Sequence, residues 1–202
     1  MEKRGLKTIL YDMPRRLAEE DYRECLRQLP EWRRRQAESY CRLTDKFQCA
    51  KAYTLLCTLL NEETGRANVP KFGYGKYGKP FLPDFPGLHF NLSHCAKAVL
   101  CVICRASVGC DVEEIPCEPD LDVLDYCFSI EEKEKVRQSD NPSVEFTKLW
   151  TRKEALLKMH GIGLTDQLPS LMKSPLAQDV CLETTVCQAS GYVYTVCYRI
   201  GQ

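Results

Sequence analysis

Apolar residues recur along this chain in two rhythms: short runs of strand length, and longer stretches with an apolar residue every three or four positions. "KTILYDM", near the start, reads as an opening strand. Residues 16–29 and 44–63 read as helices. The second carries Leu55, Leu56, Leu59 and Leu60 on one face, and Asp45 in its first turn, where the helix dipole favours an anion. "LHFNLSH" (88–94), "KAVLCVICR" (97–105) and "VGCDVEEI" (108–115) read as three strands. Ser129 and Glu132 have the spacing of a capping box, which opens a helix at "IEEKEKVRQ". "VEFTKLWTRKEALLKMHG" (144–161) reads as a long helix stopped by Gly161. "CLETTVCQASGYVYTVCYRI" reads as a closing hairpin that turns near Ala189, Ser190 and Gly191. The stretch "NVPKFGYGKYGKPFLPDFPG" (68–87), rich in Gly and Pro, reads as loop and turn. Helices are followed by strands in both halves, which predicts a boundary near residue 105, between segments 1–105 and 106–202.

Composition changes this picture in two ways. The 202 residues carry no net charge, but residues 1–105 hold 19 basic and 12 acidic side chains, while residues 106–202 hold 9 and 16. The basic half suits an anionic ligand and the acidic half a cation; the same split also serves attraction between the halves. The 13 cysteines would fit a disulfide scaffold, but many lie inside apolar runs, as Cys101 and Cys104 do in "AVLCVICRA". Cysteine packs there as a small hydrophobe. The start "MEKRGLKTILYDMP" has no apolar stretch of signal-peptide length, and no run is long enough to span a membrane. The expectation is a reduced, cytoplasmic protein. A zinc site at Cys101 and Cys104 would need two more ligands, with Cys95, Cys110 and His94 as conceivable donors. Positions i and i+3 of a strand face opposite ways, which favours a buried strand instead.

The candidate chemistry begins at "GCDVEE" (109–114). On a strand, Asp111 and Glu113 point to one face and Glu114 to the other. Two carboxylates side by side at the end of a buried strand repel unless something positive lies between them. Glu154 and Lys158, four apart in "WTRKEALLK", share a helix face; alone they make an ordinary surface ion pair. If Glu154 meets Asp111 and Glu113, three carboxylates suit a hard divalent cation such as magnesium carrying a diphosphate, and Lys158 would reach the same phosphates. Gly73-x-Gly75-x-x-Gly78 matches the dinucleotide fingerprint as a string, but no strand precedes it and no helix opens after it. Lys76 and Lys79 in this Gly-rich loop suit a phosphate or a nucleobase.

"GCDVEE", then "WTRKEALLK" about forty residues on, then "GIGL", resembles the 4′-phosphopantetheinyl transferases, whose signature is Gly-x-Asp-x-Glu followed by Trp-x-x-Lys-Glu-Ala-x-x-Lys. "YGKP" (77–80) and "HFNLSH" (89–94) extend the match to the longer, surfactin-synthetase-activating type. The resemblance implies an α+β fold: two similar α/β subdomains in one monomeric chain, each a small sheet packed with helices. The first (1–105) would contact the 3′-phosphate and adenine of coenzyme A, and the second (106–202) would hold the metal and diphosphate. It implies that Asp111, Glu113 and Glu154 ligate magnesium, with manganese as a substitute. Glu154, or a metal-bound water, would be the base for the incoming serine, and Lys158 would contact the diphosphate and stabilise the leaving phosphate. Ser93 and His94 would contact coenzyme A phosphates, Lys79 its adenine end, and Arg35 the 3′-phosphate. The second basic position there falls on Trp32, with Arg33 as a substitute, and Gln48 stands where a basic residue is common.

The implied reaction moves the 4′-phosphopantetheine arm of coenzyme A onto a serine of an apo carrier protein and releases 3′,5′-ADP. The partner would be an acidic acyl, peptidyl or aryl carrier, docking on a basic or apolar surface beyond Ile115; neither nucleic acid nor membrane is implied. Two rivals stand beside this reading: another magnesium-dependent diphosphate enzyme, such as a nucleotide hydrolase, and a non-catalytic carrier-binding protein.

Overall fold

A computed structural model describes residues 5–65 and 69–200 of the chain. Its strands are β1 (Lys7–Asp12), β2 (Gly73–Tyr74), β3 (Pro80–Phe81), β4 (His89–Cys95), β5 (Ala98–Cys104), β6 (Val108–Glu114), β7 (Val180–Cys187) and β8 (Tyr192–Arg199). Its α-helices are α1 (Glu19–Arg27), α2 (Glu31–Glu38), α3 (Leu43–Thr64), α4 (Leu121–Cys127), α5 (Ile130–Arg137) and α6 (Pro142–His160). Two antiparallel three-stranded sheets carry the fold, in the orders β1-β5-β4 and β6-β8-β7. The chain is α+β, with small sheets packed against helices.

Side-chain alternation builds the layers. Val99, Cys101 and Ile103 of β5 face α3, meeting Leu55, Leu56, Leu59 and Leu60. Ala98, Leu100, Val102 and Cys104 of the same strand face the other way, onto Val108, Cys110, Val112, Tyr192 and Val196 of the second sheet. Beyond that sheet lies α6, whose Ala155, Leu156, Leu157 and Met159 close a further core cluster with Cys197. The order is helix, sheet, sheet, helix. Cys101 and Cys104 therefore serve two different cores, as opposite strand faces require. All thirteen cysteines are free thiols, and only Cys41 and Cys117 are exposed.

The sequence reading meets the structure at most elements. The capping box is formed: Glu132 N–H donates to Ser129 Oγ at 3.2 Å, and Ser129 N–H to the Glu132 carboxylate at 2.8 Å. The long helix starts slightly earlier than expected, because Asn141 caps it through Val144 N–H at 3.1 Å and Pro142 occupies its first position. It ends at Gly161, whose φ of 67° is the left-handed conformation glycine favours. The helix expected over 16–29 is shorter, Glu19–Arg27. The glycine-rich loop holds a miniature β2–β3 hairpin, and its first residue, Asn68, lies outside the described residues. Two α-helices escaped the pattern: α2 is mostly charged, and α4 is too short for a period to show.

One close approach fixes the rest. A Cβ on Gly109 would collide with the Ala155 carbonyl oxygen and the Met159 amide nitrogen, and would lie 2.8 Å from Met159 Cα. The backbones of β6 and α6 touch at this point, so only glycine fits. Gly109→Ala is expected to destabilise the fold by about 3 kcal/mol, because neither backbone can yield. Gly163→Ala, with nothing within 4 Å of the added carbon, should shift it by less than about 0.5 kcal/mol. Denaturant titration of both variants checks this; equal midpoints would remove the packing argument.

Candidate active site

With α6 pressed on β6, the strand's outward face and the helix meet side by side. Cys110 and Val112 point into the inter-sheet core, so Asp111 and Glu113 point toward α6. Lys158 Nζ lies 2.6 Å from Asp111 Oδ1, and Asp111's side chain is only 2 % exposed. Ser93 of β4 donates its hydroxyl to the same oxygen at 2.9 Å and accepts from Lys158 at 3.2 Å. Lys158 is thus the positive charge beside Asp111 here. Burial alone would depress the Lys158 ammonium; the Asp111 charge and hydrogen bond outweigh it and raise its pKa.

The other two carboxylates lack such relief. Burial, then the Asp111 charge, push Glu113 up to about 7, with Lys158 and the Trp150 indole pulling against them. Glu154 is also raised, first by burial and then by Asp111, against the pull of Lys158. Asp111 Oδ2 is buried without a hydrogen-bond partner. Among the described residues, no three histidine, cysteine or acidic side chains already stand in ligating geometry. An orphaned carboxylate oxygen beside two carboxylates held up in pKa is nonetheless a donor set that fits a hard divalent cation.

The remaining expected residues divide. His94 lies at the end of β4; desolvation, then the Lys158 cation, lower its pKa although part of the ring meets solvent. Lys79 lines a pocket of about 360 Å³ with Tyr77, Phe81, His89, Ser107 and Gly161. Its ammonium is spent on the Val108 and Met159 carbonyls, at 2.9 and 2.8 Å, and burial lowers its pKa to about 8. Arg35 is exposed, bonds Glu31 at 2.9 Å and does not line that pocket. Arg33 is buried: it donates to the Cys49 carbonyl at 3.1 Å and lies 5.5 Å from the Tyr53 ring centroid. Gln48 donates to the Cys95 carbonyl at 2.6 Å, tying α3 to β4 where a cation is common. The first lysine of "WTRKEALLK", Lys153, is fully buried against Glu132 at 2.9 Å and the Leu168 carbonyl at 2.7 Å, so it ties α5 to α6.

The profile of the 4′-phosphopantetheinyl transferase superfamily matches residues 107–195, the segment that runs from β6 through α6 to β8. Two curated relatives come from Bacillus subtilis. A 4′-phosphopantetheinyl transferase is 33 % identical over 101 residues, 49 % of this chain and 45 % of the relative. The 4′-phosphopantetheinyl transferase Sfp is 30 % identical over 141 residues, 63 % of this chain and 62 % of the relative. Over these segments the chain is similar to the 4′-phosphopantetheinyl transferases. A further relative, the L-aminoadipate-semialdehyde dehydrogenase-phosphopantetheinyl transferase of Candida glabrata, is 28 % identical over 180 residues, 80 % of this chain and 67 % of the relative. The matched stretch spans only 45 % to 62 % of the two Bacillus transferases.

Sequence reasoning missed the role of Asn91, whose side chain accepts from Cys110 N–H at 2.8 Å, and of Trp150 beside Glu113. The only signal was alternation: Asn91 and Ser93 share one face of β4. In chelator at pH 8, two single variants should move stability in opposite directions. Asp111→Asn should lower the unfolding midpoint, because it leaves Lys158 without its partner carboxylate. Glu113→Gln should raise it, because it removes a charge that burial disfavours. Thermal scans of both test the pairing; a higher midpoint in Asp111→Asn would refute it.

Proposed function

We propose that this chain transfers the 4′-phosphopantetheine arm of coenzyme A to a serine of an apo carrier protein and releases 3′,5′-ADP. The observation that carries the proposal is one side-chain cluster that combines Asp111, Glu113, Glu154 and Lys158 with Ser93 and His94 of β4. The relatives' names support the reaction class. In this reading Asp111, Glu113 and Glu154 would hold magnesium, or manganese in its place. When bound, the metal neutralises the diphosphate and makes its phosphorus more electrophilic. Glu154 would take the proton from the serine hydroxyl as it attacks, and Lys158 would stabilise charge on the departing phosphate. Ser93 and His94 would orient the phosphates. The pocket around Lys79 would seat the adenine end, the lysine stem forming its wall. Arg35 would serve the 3′-phosphate from the rim. Segments 1–105 and 106–202 would act as a coenzyme half and a metal half of one monomer.

The carrier would dock on the segment after Ile115, where Leu121, Tyr126 and Ile130 are exposed by 69 %, 79 % and 83 %. Apolar side chains so open suit a partner interface. An acidic acyl, peptidyl or aryl carrier is the expected partner, and the cytoplasm the expected compartment. No helix among the described residues is long and apolar enough to cross a membrane.

Incubation with coenzyme A, magnesium and a panel of purified apo carriers, read by mass spectrometry, should show the mass gain of the arm on at least one carrier. Glu154→Gln should cut the rate by about 100-fold or more. Tyr126→Ala should raise KM for the carrier and leave KM for coenzyme A unchanged. Glu114, which accepts from Ala96 N–H at 3.2 Å on the far side of the strand, should tolerate Gln. Release of 3′,5′-ADP without any carrier would instead favour a hydrolase, and no release with any carrier a binding protein.

A further inference from the structure

The two sheets meet along strands that each lack a neighbour on one side: β4 ends the first sheet and β6 begins the second. A sheet edge presents unpaired N–H groups, which are costly when buried. Here two side chains stand where a neighbouring strand's carbonyls would be. Asn91 Oδ1 accepts from Cys110 N–H at 2.8 Å, and Ser93 Oγ from Val112 N–H at 3.3 Å. Both residues are buried. Asn91 to Cys110 and Ser93 to Val112 advance by two residues on each strand, so β4 and β6 run in the same direction, stitched by side chains instead of a backbone ladder.

The two stitched amides bracket Asp111. Ser93 also touches the Asp111 carboxylate, whereas Asn91 bonds only the peptide that joins Gly109 to Cys110. That peptide needs an outside restraint. Gly109 must be glycine for α6 to approach, and glycine is the residue least able to fix its own backbone. We infer that Asn91 is a positioning residue for Asp111: its bond to the Cys110 amide locks the backbone between the glycine that admits α6 and the carboxylate that faces it. This rests on the proposed role of Asp111 as a metal ligand. Asn91 acts on the metal half from a strand of the coenzyme half, so ligand contacts along β4 and the carboxylates of β6 share one rigid edge.

Asn91→Leu keeps the volume and removes the acceptor. It should speed hydrogen exchange at the Cys110 amide and weaken manganese binding in the presence of coenzyme A by about tenfold or more, measured by calorimetry. Transfer should lose kcat while KM for coenzyme A stays within about twofold. In an Asp111→Asn background the same substitution should cost no further activity, because a residue that acts through Asp111 has nothing left to position. Should Asn91→Leu not fold, Asn91→Ser, too short to reach the amide, replaces it. Unchanged manganese affinity in the folded variant, or losses that multiply in the double variant, would overturn the inference. If the wild type transfers nothing to any carrier, the proposed function fails, while exchange and manganese binding still decide the role of Asn91.

Discussion

Contact between the backbones of β6 and α6 at Gly109 is the constraint on which the site depends. Only where a strand and a helix touch main chain to main chain can Asp111 and Lys158 come within 2.6 Å while both elements keep regular geometry. A side chain at position 109 would collide with the helix backbone and push the two elements apart. The glycine of the motif is thus a packing residue, and the chemistry follows from its absence of volume. Lys153 supports the same geometry from behind. Its buried ammonium anchors α6 to Glu132 of α5 and to the Leu168 carbonyl, so the helix is held on the side away from the cleft as well.

Electrostatics then divides the labour within the site. Asp111 is neutralised by Lys158 and Ser93, while Glu113 and Glu154 remain in an environment that resists their charge. Such a set is stable without metal because one ammonium covers the most buried carboxylate, and receptive to a cation because the other two carboxylates are not covered. The charge asymmetry between the two halves of the sequence has its local expression here. Lys97, in the turn after β4, pairs with Glu114 of β6 at 3.7 Å, and Lys79 of the glycine-rich loop donates to the Val108 carbonyl of the same strand.

Much of this was legible in the sequence because it rests on periodicity. The strands of both sheets, α3, α6 and the capping box at Ser129 all declare themselves through alternation, helical spacing or capping chemistry. Strand and helix periods pair Asp111 with Glu113 and Glu154 with Lys158, and the resemblance to the transferases joins the two pairs. What stayed hidden depended on tertiary placement. Nothing local distinguishes Lys153, buried and structural, from Lys158, five residues on and in the cleft. Arg33 looks available to a phosphate in the sequence, yet it is sunk among Tyr53 and Phe72, and Gln48, where a basic residue is common, bonds the Cys95 carbonyl. Asn91 carries no charge to draw notice, and its partner is a backbone amide nineteen residues away.

The thiols in the sheets have a consequence for how this protein wears out. Burial holds Cys101 and Cys110 well above the usual thiol range, Cys197 at about 12 and Cys95 at about 11, so in the folded chain they are protonated and shielded from oxidants. Once the layers separate, the same sulfurs become ordinary reactive thiols on an exposed chain, and random cross-linking competes with return to the native state. Oxidation of these buried thiols is then set by how often the sheets open, which is a rate and not an equilibrium. Alkylation at those positions measures that opening, and the chain carries its own clock of unfolding in its core.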